Sequence, residues 1–389
     1  MVAPRIALVA GEASGDLLAS HLIVALAARM PGTRFFGIGG PRMQSAGFDA
    51  WWPAEKLAVR GYVEVLGRYR EITSIRARLR ERLLAAPPDL FIGVDAPDFN
   101  LDLEIALRAA GVRTAHFISP SIWAWRGGRI AKIRRACEHM LCVFPFEEAI
   151  YRDAGINATY VGHPLADVIP ERSDRAAARE ALGIKAHERV LALLPGSRQS
   201  ELARLADCFV ATAKLLAGTW PGLRLVVPLA SEENIAQWQA AVAANHATDL
   251  SILVLPRDSH TALAACDCAL VASGTATLEA ALFKRPLVIA YNMATLSWQM
   301  MRRMKYQPYV GLPNILCGQF VVPEFLQDDA TPENLAQAVG NLLADAELRS
   351  RIEERFHRLH ARLKRGMASR AAEAIAHSFF AGAARPRAA

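Results

Sequence analysis

Aromatic residues are scarce in this chain of 389 residues, 7% of the total. Any core it builds must therefore be aliphatic, made of Ala, Leu, Val and Ile. Cysteine is sparse too: Cys137, Cys142, Cys208, Cys266, Cys268 and Cys317 form no C-x-x-C pair and no repeating framework. That excludes a disulfide scaffold and a structural zinc site, and cysteines set in apolar runs read as small core residues of a reducing cytoplasm. No apolar stretch approaches the roughly 20 residues needed to span a bilayer. The run Ile6–Ala10 stops at Gly11-Glu12, which reads as a buried strand and is too short for a signal peptide. G-x-G-x-x-G, G-x-x-x-x-G-K-[ST], H-E-x-x-H and D-x-D are all missing. A dinucleotide fingerprint, a P-loop, a zinc protease helix and a metal-bridged diphosphate thus lack their sequence anchors. Nor is there a repeat of solenoid period.

What is present is a soluble globular balance: 52% hydrophobic, 21% charged, 25 Gly and 21 Pro. Disorder, collagen and coiled coil are excluded. The length calls for two domains. The net charge of +7 has two readings, a solvated Arg surface or an anionic partner such as nucleic acid, a phosphorylated metabolite or an acidic lipid surface. Composition does not choose between them.

Short β-rich runs alternate with helical stretches, the pattern of parallel α/β sheets. Strands are expected at Ile6–Ala10, Arg34–Ile38, Leu90–Val94, Thr114–Ile118 and Met140–Phe144, with helices such as Asp16–Met30 and Arg70–Ala85 between them. A break follows Gly162-His163-Pro164. The alternation then restarts, with strands expected at Val190–Leu194, Leu223–Pro228, Leu250–Leu255, Cys268–Ala272 and Leu287–Tyr291. Helices begin near Glu201, Ser231, His260, Thr275 and Pro332, and Glu347–Lys364 is helical and charged. This gives an α/β fold of two Rossmann-like, doubly wound domains in series, facing across a cleft, with ligands beyond the strands' carboxyl ends.

Five loops at strand ends carry chemistry. Gly11-Glu12-Ala13-Ser14-Gly15-Asp16 opens a helix; either Ser14 or Asp16 caps it, or the loop meets a phosphate or sugar at the cleft with Glu12. Asp95-Ala96-Pro97-Asp98-Phe99-Asn100 puts two carboxylates and an amide at one strand end. Asp95 is the general-base candidate, while Asp98 or Asn100 alternatively caps the helix from Leu101. Ser119-Pro120-Ser121-Ile122-Trp123-Ala124-Trp125-Arg126 offers two indoles beside Arg126, Arg129, Lys132, Arg134 and Arg135. They suit a sugar face and a phosphate, or else a Trp pair packed under a basic helix. Pro195-Gly196-Ser197-Arg198 and Ser273-Gly274-Thr275-Ala276-Thr277-Leu278-Glu279 each end a strand of the second half and start a helix. Small residues, helix N-termini and an Arg fork favour an anion, and Glu279, one turn in, is placed for a ribose diol. Two such loops in one domain make a nucleotide-diphosphate site. The ten His are scattered, and His163 beside Pro164 reads as structural.

The strings AGEASGD, GGPRMQSAGF, VEVLGR, GVDAPDFN, SPSIWAW, VGHPLAD, LLPGSRQSE, ASGTATLEAAL and YVGLPNIL run in order along nearly the whole chain. Together they resemble the lipid-A-disaccharide synthase family. The resemblance implies a two-domain GT-B glycosyltransferase, with 1–165 on the acceptor and membrane side. It implies UDP-sugar binding in 166–389, whose last helix packs back on the first domain. Such an enzyme joins UDP-2,3-diacylglucosamine to 2,3-diacylglucosamine 1-phosphate (lipid X) and releases UDP, by inverting transfer with no metal and no cofactor. Its site would comprise Asp95 as base with Glu12 second, and Gly196, Ser197, Arg198, Ser273, Gly274, Thr275 and Glu279 on the nucleotide, with Asn314 and Gln319 as weaker contacts. Ser14, Asp98, Asn100, Trp123, Trp125 and Arg126 would face the acceptor. A UDP-sugar epimerase, or another UDP-sugar glycosyltransferase, shares the same plan. A non-enzymatic membrane or nucleic-acid binder has no use for Glu279 behind paired anion loops.

Both substrates carry acyl chains, so the enzyme is expected to work at the cytoplasmic surface of the inner membrane, without nucleic acid and with an oligomer left open. Tyr62, Val65, Leu66, Tyr69 and Ile72 fall on one helical face at i, i+3, i+4, i+7 and i+10. Around them Arg60, Arg68, Arg70, Arg76, Arg78, Arg80 and Arg82 outnumber Glu64, Glu71 and Glu81. An apolar face flanked by Arg suits anionic headgroups; the alternative is an ordinary core face.

Overall fold

Runs of four to six residues rich in Val, Ile, Leu and Ala, with little alternation, are what strands buried on both faces look like. Such runs build two parallel sheets in the computed structural model, which describes residues 3–57, 62–123, 127–293, 298 and 308–381, with backbone only for 62–69. The chain divides into two units: Met1–Asp167 with Leu363–Ala389, and Val168–Arg362.

In the first unit the strands are β1 (Arg5–Ala10), β2 (Arg34–Gly39), β3 (Phe48–Pro53), β4 (Leu90–Val94), β5 (Thr114–Phe117), β6 (His139–Cys142) and β7 (Asn157–Tyr160). They lie in the order β3-β2-β1-β4-β5-β6-β7. β1 pairs with β2 on one side and with β4 on the other, Val9 facing Gly93 and Ala10 facing Val94. The strand order therefore reverses between β1 and β4. Their loops open at the topological switch point, where ligands of such sheets bind. The core on one face joins Val9, Ile38 and Phe91 to Ile75, Leu79 and Leu83 of the helix Tyr62–Ala85 and to Leu103 and Leu107 of Pro97–Ala109.

The last stretch of chain belongs to this unit. Helix Met367–Ile375 packs on Ala13–Arg29. Arg113 donates to the carbonyls of Phe379 (2.8 Å) and Ser378 (2.9 Å), and its guanidinium lies over the Phe379 ring. The backbone N–H groups of Gly366 and Met367 reach Asp167.

The second unit repeats the plan with β8 (Val190–Leu194), β9 (Arg224–Leu229), β10 (Ile252–Pro256), β11 (Cys268–Ala272), β12 (Leu287–Tyr291) and β13 (Glu324–Leu326). The order is β10-β9-β8-β11-β12-β13, all parallel, so the switch point lies between β8 and β11.

Three strands lie outside the sequence expectation: β3, β7 and β13. All three are edge strands with half-exposed residues. The strand expected to run to Phe144 ends at Cys142, because the Glu147 carboxylate takes the N–H groups of Val143 and Phe144. All six cysteines are free; Cys137, Cys142, Cys266 and Cys268 are buried. Among the described residues no helix is long and apolar enough to cross a membrane.

Candidate active site

At the switch point of the second unit, the loops after β8 and β11 enclose a cavity of about 480 Å³. Gly196, Ser197, Arg198, Ser273, Gly274, Thr275 and Glu279 all line it. Seven residues named from two separate motifs thus meet around one space. Gly196 sits at φ +122°, a backbone region closed to most side chains, and a Cβ there would fall 2.6 Å from Cβ of Glu201.

Arg198 is the N-cap of the long helix Gln199–Thr219. The Glu201 carboxylate accepts from the backbone N–H of Ser197 (3.0 Å) and Arg198 (3.2 Å), and its other oxygen takes the Arg198 guanidinium at 3.1 Å. A Glu three residues past the cap closing on the cap's N–H is a capping-box contact. Gly274 caps the helix Thr275–Leu282, its carbonyl accepting from the Thr277 hydroxyl at 2.8 Å. Glu279 is mostly shielded and accepts from the Ser259 hydroxyl at 3.3 Å, with His260 Nε2 3.8 Å away. Arg257 adds a second guanidinium to the cavity; it stands at φ +58° and donates to the Ala230 carbonyl at 3.1 Å. Burial pushes the Tyr291 phenol, at the end of β12, above its ordinary pKa, and the Glu201 carboxylate adds to that.

In the first unit the loops after β1 and β4 lie side by side at the switch point. Glu12 is the exposed N-cap of Ala13–Arg29 and its side chain makes no cap bond; Ser14 is exposed beside it. Asp16, which the sequence offered as a cap of its own helix, stands inside the first turn and directs its side chain to another loop. Its buried carboxylate accepts from the N–H of Gly40 (2.9 Å), Arg42 (3.0 Å) and Met43 (3.1 Å), fixing the turn after β2. Asp95 is half-buried, at φ +51°, and its N–H donates to the Phe117 carbonyl at 2.9 Å.

Residues 6–379 match the family model described as lipid-A-disaccharide synthetase. This chain belongs to that family. The lipid-A-disaccharide synthase of Dechloromonas aromatica (strain RCB) is 55% identical over 374 residues, which cover 96% of this chain and 98% of that one. Solved structures share the fold at low identity. A UDP-GlcNAc 2-epimerase from Neisseria meningitidis bound to UDP-GlcNAc is 12% identical with a TM-score of 0.61, covering 96% of this chain and 99% of the other. MurG of Acinetobacter baumannii is 16% identical with a TM-score of 0.58 over the same shares. As a member of the lipid-A-disaccharide synthase family the chain is a glycosyltransferase on a GT-B-like fold of two α/β units.

Of the other residues expected at the synthase site, some are buried or paired and some lie outside the described residues. Asn314 is fully buried and fully used: Nδ2 donates to Val322 O and Glu324 Oε1, and Oδ1 accepts from the N–H of Val321 and Val322. Neither it nor the exposed Gln319 lines the cavity. Trp123 is buried edge-on against Phe144 and Phe146, its indole N–H donating to Glu147 at 3.1 Å, which is the packing arrangement rather than an open sugar platform. Trp125 and Arg126 lie outside the described residues. Asp98 is exposed in the first helical turn and paired with Arg129, and Lys132 is paired with Asp102, so two of the five basic residues there already hold carboxylates. Asn100 is fully buried. The side chains of Tyr62, Val65, Leu66 and Tyr69 lie outside the described residues, while Ile72 packs against the core.

Two further features went unread in the sequence. Arg257, Asp258 and Ser259 complete the cavity of the second unit, and their signal was available: they directly follow a strand of the same sheet at its carboxyl end. A buried pair, His116 Nδ1 to Glu104 Oε1 at 2.7 Å, lies behind Asp95. Burial works against protonation of His116, but the Glu104 carboxylate and then Asp95 outweigh it and the imidazole pKa is raised. Among the described residues no cluster of three or more His, Cys, Asp or Glu is arranged to hold a metal ion.

Proposed function

We propose that this synthase transfers 2,3-diacylglucosamine from UDP to the sugar hydroxyl of 2,3-diacylglucosamine 1-phosphate, with inversion at the anomeric carbon and release of UDP. The observation that carries the nucleotide half is the convergence of both anion-suited loops and Glu279 on one cavity at the switch point of the second unit. UDP occupies that cavity. Its diphosphate lies at the starts of the two helices beside the Arg198 guanidinium, and the ribose diol meets Glu279. As the bond from C1 to the diphosphate oxygen breaks, negative charge develops on UDP, and the Arg fork and helix N-termini stabilise it.

The acceptor hydroxyl is deprotonated as its oxygen bonds to C1. Asp95 takes that proton, and Glu12, exposed on the adjoining loop, is the second candidate. The reaction takes place at the cytoplasmic face of the inner membrane, where the amino-terminal part of Tyr62–Ala85, with Tyr62, Val65, Leu66 and Tyr69, meets the acyl chains and anionic headgroups. Mass spectrometry of the product from UDP-diacylglucosamine and lipid X tests the reading. A disaccharide monophosphate with four acyl chains is the expected mass; a rearranged single sugar with UDP retained overturns it.

A further inference from the structure

The end of β4 carries two consecutive left-handed residues that are not glycine, Asp95 at φ +51° and Ala96 at φ +43°. A Cβ makes this region unfavourable, and such backbone persists only where its surroundings hold it. Besides the backbone bonds from Asp95 to Phe117 and from Phe99 and Asn100 to Ala96, the turn is held by the side chain of Asn100, which is 0% exposed. Its Nδ2 donates to the Asp95 carbonyl at 2.8 Å and lies 3.3 Å from Val9 O and 3.5 Å from Val94 O. One amide therefore joins the carboxyl ends of β1 and β4 and the turn that carries Asp95.

The orientation of that amide is determined, because turning it over would set Oδ1 against three carbonyl oxygens. Oδ1 itself is buried without a hydrogen-bond partner, a cost the side chain bears to keep Nδ2 on the strand ends. The backbone leaves room beside it: a Cβ on Gly93 would collide first with the Glu104 carboxylate and also fall 2.9 Å from Asn100 Cβ. A Cβ on Gly11 would lie 3.3 Å from Ala96 Cβ, so the loop bearing Glu12 rests on the same turn.

We propose that Asn100 is a positioning residue for glycosyl transfer: it touches no substrate and holds the Asp95 carboxylate at the switch point by fixing the turn from Asp95 to Ala96. This rests on the reading of Asp95 as the base. Asn100 was expected at the acceptor from its place in the motif; its burial assigns it to the turn instead.

The test is a double-mutant cycle with steady-state kinetics on the full chain. Asn100→Ala and Asn100→Ser should lower kcat by about 10²-fold, the scale of a misplacement near 1 Å, while KM for each substrate moves by less than about threefold. The pair Asp95→Asn/Asn100→Ala should turn over no more slowly than Asp95→Asn alone, since the strut acts only through the carboxylate. If the single variants do not fold, Ala96→Gly/Asn100→Ser is compared with Ala96→Gly: glycine relieves one of the two left-handed residues and so restores folding. Asp95, still at φ +51° and held through its carbonyl by Asn100, keeps its need of the strut, so kcat should again fall with KM little changed. A raised acceptor KM at unchanged kcat makes Asn100 a contact residue and overturns the proposal. So does additivity in the cycle, or full turnover in Asn100 variants while Asp95→Asn is slow. Full turnover in Asp95→Asn instead removes the reading of Asp95, and the proposal falls with it.

Discussion

The carboxylate of Glu201 holds Arg198 at two points, the backbone N–H at 3.2 Å and the guanidinium at 3.1 Å. The helix start proposed for the diphosphate therefore carries an anionic partner of its own. The Arg198 side chain is 80% exposed, so the pair contributes little to stability and the fork remains able to reach a second oxyanion. A phosphate arriving at this loop shares Arg198 with Glu201, and the two should have opposite effects on nucleotide affinity.

Arg198→Ala removes a charge-assisted hydrogen bond, worth about 1.5–3 kcal/mol, so UDP affinity measured by calorimetry should fall roughly ten- to a hundredfold. Glu201→Gln still offers the loop N–H groups an acceptor but removes a negative charge beside the diphosphate, and UDP should bind at least as tightly. An unchanged dissociation constant for Arg198→Ala would remove the loop after β8 from the nucleotide site.

Asp95→Asn keeps the shape of the side chain and abolishes its basicity, so turnover should drop by about 10²–10⁴ with melting temperature preserved. Glu12→Gln, on the exposed loop beside it, should cost less. If the two results come out reversed, the proton goes to Glu12 and Asp95 becomes its neighbour.

Much of this arrangement is legible in the sequence, and the exceptions have physical causes. Central strands such as β1, β8 and β11 are buried on both faces and announce themselves as apolar runs. The edge strands β3, β7 and β13 are half-exposed and mix polar residues into short runs, so their pattern does not separate them from loops. Site residues divide in the same way. Backbone-driven features, glycine turns before helix starts, could be placed from strand ends alone. Side-chain direction could not: Asp16, Asn100, Trp123 and Asn314 stand in the same motifs as exposed residues, yet each turns inward to satisfy backbone N–H groups, carbonyls or a buried carboxylate. Spacing says which loop a residue belongs to, and only packing says which way it faces.

Glu147 should give the fold a pH dependence of definite sign. Its carboxyl is buried under the Trp123 indole and pushed up to about 7 by desolvation, against the lowering effect of the N–H groups of Phe144 and Val143 and of the Trp123 indole. Between its ordinary value of 4.5 and 7, the unfolded chain has lost this proton and the folded chain keeps it. Stability therefore falls as pH rises through that window and levels off above it. The shift corresponds to about 3 kcal/mol at 1.36 kcal/mol per unit. Glu147→Gln, neutral at every pH, should flatten this component. Parallel melting-temperature curves for the two proteins between pH 4.5 and 7.5 would show that Glu147 is ionised throughout.

The helix Tyr62–Ala85 should divide its labour along its length. Ile75, Leu79 and Leu83 are buried in the core of the first unit, and Ile72 packs against them. That half answers as core: Ile75→Ala should destabilise by about 2–5 kcal/mol, the range for a large aliphatic truncated in a packed interior, and Ile72→Ser should lower the melting temperature as well. Tyr62, Val65, Leu66 and Tyr69 continue the same periodic face toward the amino-terminal end, beyond the described side chains. The membrane reading therefore rests on Val65 and Leu66, not on Ile72. Val65→Ser/Leu66→Ser should leave melting within a degree or two and reduce binding to vesicles containing anionic lipid. Arg68 and Arg70, on the flank of that face, should make the binding fall as salt is raised, since headgroup attraction is screened within a Debye length. If Val65→Ser/Leu66→Ser instead melts as low as Ile72→Ser, the whole face belongs to the core and the docking surface must be sought elsewhere.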